Sequence, residues 1–267
     1  MKKFFALPLA VLFVAACSDS STAPATNADL SPSYAKPVKP PAGGGGGGIT
    51  NVQVSDTYNF EGIDAASGNS TVGTALQPGI QGDADAPAVI AAPNGSTHFI
   101  GRFDNTRTIV VVNLAAGYPK YDLNFDFYVI GSWDGRGKQA QSGVFEANVF
   151  DISYQCGVNA PLSIFKTSFS NQKTVQQDFP LAYLTGGNKA ATGSFDTDAL
   201  GYKDRPDLSN TPQFRSFGDV SYHMSFAGTN PCGMGAVQFQ IGTSNPTQQS
   251  TRDESWGVDN IVIKAGT

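Results

Sequence analysis

The chain is short of the residues on which most enzymes and nucleic-acid-binding proteins depend. It has only two histidines, His98 and His223, far apart and neither in the His-Glu-x-x-His spacing that holds zinc on a helix. No Gly-x-Ser-x-Gly elbow is present to expose a serine nucleophile. Positive charge is scarce, with 17 Lys and Arg against 22 Asp and Glu for a net of -5, and phosphate neutralisation needs a basic surface, so nucleic acid is excluded as a partner. Apolar residues nowhere recur at helical spacing for three turns, and no internal repeat is visible. Beyond residue 16 no apolar run reaches the ~20 residues of a transmembrane helix. The six glycines Gly43 to Gly48 lack the strand, the helix and the Gly-Lys-Ser/Thr ending of a phosphate-cradling loop, and the Gly-Lys pair within Gly131 to Lys138 lacks its first glycine at the required spacing.

What is present begins with a leader. Lys2 and Lys3 form a basic n-region, Phe4 to Ala15 an apolar h-region, and Val14-Ala15-Ala16-Cys17 places small residues before a cysteine. The pattern resembles the lipobox of bacterial lipoproteins, which implies removal of residues 1–16 and a diacylglyceryl-modified, palmitate-bearing Cys17 as the first mature residue. Ser18 in place of aspartate resembles the pattern of outer-membrane sorting in Gram-negative bacteria. Loss of Lys2 and Lys3 leaves 15 basic residues against 22 acidic ones, a net of -7, so membrane attachment rests on the acyl chains rather than on a polybasic patch. With Cys17 assigned to lipid, Cys156 and Cys232 remain. Either they pair in an oxidising compartment, a closure worth up to ~4 kcal/mol in the chain-entropy model, or they are two separate buried thiols.

From Cys17 to Gly48 the composition of Ser, Thr, Ala, Pro and Gly offers almost nothing to bury. It reads as a tether, and a flexible chain of that length spans on the order of 30 Å. Residues 49–267 read as a single β-domain, since sandwiches and barrels run past ~200 residues as one unit. Leu123, Phe125, Phe127 and Val129 alternate with Asp122, Asn124, Asp126 and Tyr128, the period of a half-buried strand. Val220, Tyr222, Met224 and Phe226 do the same, as do Val237, Phe239 and Ile241 against Gln238 and Gln240. Further strands are expected over 52–60, 98–103, 108–114, 144–152, 162–169 and 256–263, and a polar surface loop over 186–212. Many short strands with turn-rich connections predict an all-β fold, an antiparallel sandwich or barrel rather than a parallel α/β sheet, and the antiparallel β-sandwich is the expectation carried forward.

Two segments combine tryptophan with acidic residues: Ser132-Trp133-Asp134-Gly135 and Asp253-Glu254-Ser255-Trp256-Gly257-Val258-Asp259-Asn260. Together with Tyr58-Asn59-Phe60-Glu61-Gly62, Phe99-Ile100-Gly101-Arg102-Phe103 and Phe125-Asp126-Phe127-Tyr128, they give the domain a resemblance to the bacterial extracellular β-sandwiches related to the concanavalin A-like and laminin-G jelly rolls. That architecture hosts lectins, adhesion modules and hydrolases alike. The Glu-x-Asp-x-x-Glu strand of its glycoside hydrolases is missing, and in Glu146-Ala-Asn-Val-Phe-Asp151 an odd separation sends the two acids to opposite faces. No catalytic residue is assigned.

Trp133 and Trp256 read either as a sugar-stacking platform or as core. With Trp133 as platform, Asp134, Arg136, Asp253 and Glu254 are the polar groups placed to take sugar hydroxyls. Calcium is the one ion the composition fits, through Asp83 and Asp85 in one turn, or through Asp134, Asp253 and Asp259 where the tryptophan segments meet; the same aspartates also serve as turn caps. The leading expectation is a lipid-anchored, non-catalytic glycan- or ligand-binding domain. The competing ones are a polysaccharide-acting hydrolase, which needs two carboxylates ~5 to 9.5 Å apart across a cleft, and a structural envelope protein.

Overall fold

The computed structural model describes residues 49–61, 74–79, 88–103, 109–136, 138–139, 145–146, 148–203, 217–244 and 254–267. Its strands are β1 (Val52–Tyr58), β2 (Thr74–Gly79), β3 (Ala88–Ala91), β4 (His98–Phe103), β5 (Ile109–Leu114), β6 (Lys120–Gly131), β7 (Lys138–Gln139) and β8 (Phe145–Glu146). They continue with β9 (Val149–Gln155), β10 (Leu162–Ser168), β11 (Gln176–Gln177), β12 (Asn188–Lys189), β13 (Asp196–Thr197), β14 (Asp219–Thr229), β15 (Val237–Ser244) and β16 (Glu254–Gly266). Among the described residues there is no helix, and so none long and apolar enough to cross a membrane.

The strands form two main antiparallel sheets. A seven-stranded sheet runs β13-β14-β6-β16-β4-β3, with β1 also paired to β16; a five-stranded sheet runs β10-β9-β15-β5-β2. Alternation puts one side of each sheet into a shared core: Leu123, Phe125, Phe127, Met224 and Trp256 from the first, Val110, Val112, Phe150, Phe239 and Ile241 from the second. Aromatic rings bridge the layers, with Tyr121 and Phe239 centroids 4.6 Å apart and Phe127 and Phe150 4.7 Å apart. Two sheets closed over one apolar layer are a β-sandwich.

β16 departs from simple alternation. Trp256 and Val258 face the core, then one extra residue enters between Asp259 and Val262, and Ile261, Ile263 and Ala265 face it instead. Asn260, at φ 48°, occupies the left-handed conformation that this bulge requires. The strand thereby keeps its apolar side inward over its whole length, pairing β4 along its first half and β1 along its second.

The segment expected as a polar surface loop from 186 onward does more than cover. Leu200 and Tyr202 are buried in a small second core with Ala92, Phe99, Tyr128 and Ile130, on the outer side of the seven-stranded sheet. Asp219, fully buried, holds them there by accepting the Leu200 and Tyr202 backbone N–H groups at 3.1 and 3.0 Å. The strand expected over 144–152 is two, β8 and β9, so Glu146 and Asp151 do not share one uninterrupted strand and the simple face argument does not apply to them.

The sandwich has two ends. Gly131, Asp219 and Glu254 lie at the far end; Lys120, Thr229, Gly266 and Val52 lie at the near end, where the described chain begins at Ile49.

Candidate functional site

The residues singled out for binding gather at the far end, where they hold loops together. Gly131 and Gly135, at φ 94° and 60°, turn the chain after β6 in a way side chains resist, and the turn sends Trp133 inward. Its ring is fully buried, edge-on to Phe127 at 6.0 Å, with Nε1 donating to the Ser255 carbonyl at 2.9 Å. Trp256 is equally buried, against Phe103 and Phe127. Neither indole offers solvent a face on which a sugar could stack.

Asp134 bridges to Ser170 and accepts from the Gln172 amide. Arg136 is ion-paired through Nε with buried Asp178 at 3.2 Å and donates to the Gly186 carbonyl. Glu254, also buried, accepts from Asn148 Nδ2 at 2.6 Å. Asp253, Asp83 and Asp85 lie outside the described residues. Among the described residues no group of three or more His, Cys, Asp or Glu side chains is placed to hold a metal ion, so Asp134 and Asp259 are not brought into such a group.

Gln177, which sequence reasoning passed over, is the centre of this end. Its Oε1 accepts from Ser170 N, Ala191 N and Tyr222 Oη, each at 3.1 Å, and its Nε2 donates to the Phe179 and Thr192 carbonyls at 3.1 and 2.9 Å. No local pattern marks it, because its partners come from four separate parts of the chain.

A second polar group lies on the outer side of the seven-stranded sheet. Thr97 Oγ1 is 2.6 Å from Glu61 Oε1 and 2.9 Å from Asp259 Oδ2, and His98 contacts Glu61 through N and Nδ1, both at 3.0 Å. These bonds hold the Glu61 carboxyl down at about 2, the Thr97 bond contributing most. Burial, with Asp126 nearby, pushes Asp259 up to about 6. One hydroxyl proton cannot serve both carboxylates at once, so the bridge is complete only when Asp259 takes up its own proton, below about 6. Two acids with separated proton affinities invite comparison with a hydrolase pair. However, Asp259 has no solvent exposure and Thr97 fills the gap between the two, leaving no room for a glycosidic bond. Further along, Asp126 accepts from Asn260 Nδ2 and contacts His223 Nδ1, both at 2.9 Å. The Asp126 hydrogen bond raises the His223 pKa.

The third group is on the outer side of the five-stranded sheet near its near end. Adjacent strands β5, β15 and β9 carry Asn113, Gln238, Gln240 and Gln155, the side chains that alternation turns away from Val112, Phe239, Ile241 and Tyr154. Their amides are joined in a row: Gln238 Nε2 to Asn113 Oδ1 at 3.1 Å, Gln240 Nε2 to Gln238 Oε1 at 3.4 Å and to Gln155 Oε1 at 2.9 Å. Gln155 accepts through its oxygen, so the row itself does not use its two N–H groups. A cleft of about 260 Å³ opens beside the row, lined by Asn113, Ala115, Gln155, Gly157, Ala236 and Gln238 among others. Next to it in the chain, Cys156 and Cys232 form a disulfide, Cα atoms 5.6 Å apart, which ties the β9–β10 turn to the β14–β15 loop. Of the two readings open for these cysteines, the structure takes pairing.

No family model matches the chain, nor does any curated protein. Among solved structures it is similar to the K3 cleaved adhesin domain of Lys-gingipain from Porphyromonas gingivalis W83, at 11% identity and a TM-score of 0.36, over 80% of this chain and 99% of that one. The K1 cleaved adhesin domain of the same protein gives 10% identity and 0.35 over the same shares. Correspondence that loose bears on neither fold nor function.

Proposed function

We propose that this protein is a bacterial envelope lipoprotein, held through an acylated Cys17, whose β-sandwich binds a neutral envelope glycan without acting on it chemically. The observation that carries the reading is the amide row Asn113, Gln238, Gln240 and Gln155 beside a preformed cleft. Carboxamides present donor and acceptor together and carry no charge, which matches uncharged hydroxyls; a phosphorylated or acidic ligand would call for cations, and no Lys or Arg is among the described residues lining the cleft. The row is already cross-bonded, so little side-chain freedom remains to be lost on binding. The disulfide ties together the two segments that carry the lining residues Gly157 and Ala236.

The finer points of the reading have separate support. The leader and Cys17 carry the membrane anchor, Ser18 favours the outer membrane, and the resemblance to concanavalin A-like jelly rolls agrees with a glycan as ligand. Stacking on tryptophan forms no part of it, because both indoles are core.

The test is an array of neutral bacterial envelope oligosaccharides probed with the mature chain carrying Cys17→Ser. Saturable binding to a related set of glycans, with the sugar recovered intact, supports the reading. No binding to any glycan contradicts it.

A further inference from the structure

Among the described residues, three loops close the near end: 115–119, 156–161 and 230–236. Their sequences are AAGYP, CGVNAP and NPCGMGA, without one charged residue in a chain whose mature net charge is -7. They are tied into one tip by the Cys156–Cys232 disulfide, by Gly117 N–H donating to the Met234 carbonyl at 2.8 Å and by Asn230 N–H donating to the Pro119 carbonyl at 2.7 Å. On this tip apolar side chains face solvent: Val158 is fully exposed and Met234 62% exposed, and at the same end Leu162 at the start of β10 and Val52 at the start of β1 are each at least half exposed. Soluble surfaces seldom gather apolar groups without charge among them unless something covers them. The first charged side chains inward on β6 and β16 are Lys120 and Lys264, both cations.

The tip is also where the described chain begins. Ile49 follows directly on the segment that leads back to Cys17, and Thr50 and Asn51 are bonded to Thr267 at this same end. We propose that this charge-free tip seats on the lipid bilayer that holds the Cys17 anchor, with Val158 and Met234 dipping into the acyl boundary; the proposal rests on the reading of Cys17 as lipidated. Elsewhere the acidic surface is repelled by anionic headgroups, whereas here Lys120 comes first and Lys264 is matched across the ladder by Asp122, so the charges nearest the tip do not oppose such headgroups. Two exposed side chains would not hold a free protein on a membrane. A tether changes that by keeping the tip at an effective concentration of about millimolar, so a weak contact is occupied most of the time. Seated this way, the cleft lined by Gly157 and Ala236 opens just above the headgroups, level with the sugars closest to the membrane.

The experiment uses the full chain, expressed with its own leader and reconstituted into phosphatidylethanolamine and phosphatidylglycerol vesicles with brominated acyl chains. Val158→Trp places an indole on the tip and Leu184→Trp places one on an exposed site at the other end of the sandwich; Trp133 and Trp256 are buried and give a constant background. The expected result is bromine quenching several-fold stronger for Val158→Trp than for Leu184→Trp, with a blue-shifted emission for the former only. Equal quenching, in protein that floats with the vesicles, overturns the docking. Failure of the anchor reading shows separately, as an N-terminal peptide whose mass lacks acyl groups. That outcome overturns the docking together with the anchor, because without acyl groups the two side chains do not hold the protein on the membrane.

Discussion

Asp259 stands directly opposite Asp126 in the β16–β6 ladder, two acids at a cross-strand position where like charges repel. The fold resolves the conflict by treating them differently. Asp126 takes His223 and Asn260 as partners, while Asp259 is buried against Tyr128 and Thr97 and holds its proton up to about 6.

Stability should therefore fall as pH rises from about 5 to 8. Asp259 and Asp219, both raised by burial from 3.8 to about 6, bind protons more tightly folded than unfolded. Their contribution is complete below the unfolded value and is lost as pH climbs through about 6. His223, raised above 6.5 by Asp126, adds a loss of the same sign at higher pH. Glu61, lowered from 4.5 to about 2, acts oppositely, its contribution disappearing as the pH drops from about 4.5 toward 2. Between pH 5 and 8 the two aspartates together account for on the order of 3 kcal/mol, a fall in Tm of roughly 8 °C. Thermal melts across this range check it, and Asp259→Asn should remove about half of the slope.

Replacing Gln177 by leucine should be among the most damaging changes at the far end. Five hydrogen bonds to three donors and two carbonyls are lost, inside a site closed to water. Buried groups left unpaired cost about 1 to 3 kcal/mol each where water does not reach them. Urea unfolding should show a loss of roughly 3 kcal/mol or more, with the row at the near end still able to bind.

Trp133→Ala should destabilise by about 3 to 5 kcal/mol, the cost of emptying a large core site. Trp133→Phe should be far milder and leave ligand affinity unchanged. Denaturant midpoints and glycan titrations on both variants separate a core role from a binding role.

Removing the disulfide through Cys156→Ser with Cys232→Ser should cost up to about 4 kcal/mol, given a separation of 76 residues. It should weaken glycan binding as well, since it frees the segments that carry the lining residues Gly157 and Ala236. Denaturant midpoints and titrations with and without reductant report the two effects.

The layered fold was legible because its strands are amphipathic. Period-two alternation at Leu123 to Val129, Val220 to Phe226 and Val237 to Ile241 states which side of each strand is buried. β2 and β3 escaped notice, being short and without a clear alternation. The parity change in β16 also escaped, because a bulge of one residue looks in sequence like a lapse in pattern. Trp133 was ambiguous for a different reason: it follows the end of a periodic run, and only the turn through Gly131 and Gly135 decides which way it points. The amide row was half visible. Gln238 and Gln240 read as outward-facing, but Asn113 and Gln155 join them only through strand pairings with partners over 80 residues away.

The central claim, that the amide row is the ligand-contacting surface, is tested most directly by isothermal titration of the best array glycan into wild type and the Gln155→Ala, Gln238→Ala double variant. Together the two side chains accept both hydrogen bonds that the buried Gln240 amide donates, so Tm should fall by a few degrees in a variant that still folds, while affinity falls at least about tenfold, the loss of roughly 1.4 kcal/mol of hydrogen bonding. Equal affinity in a folded double variant would contradict the account.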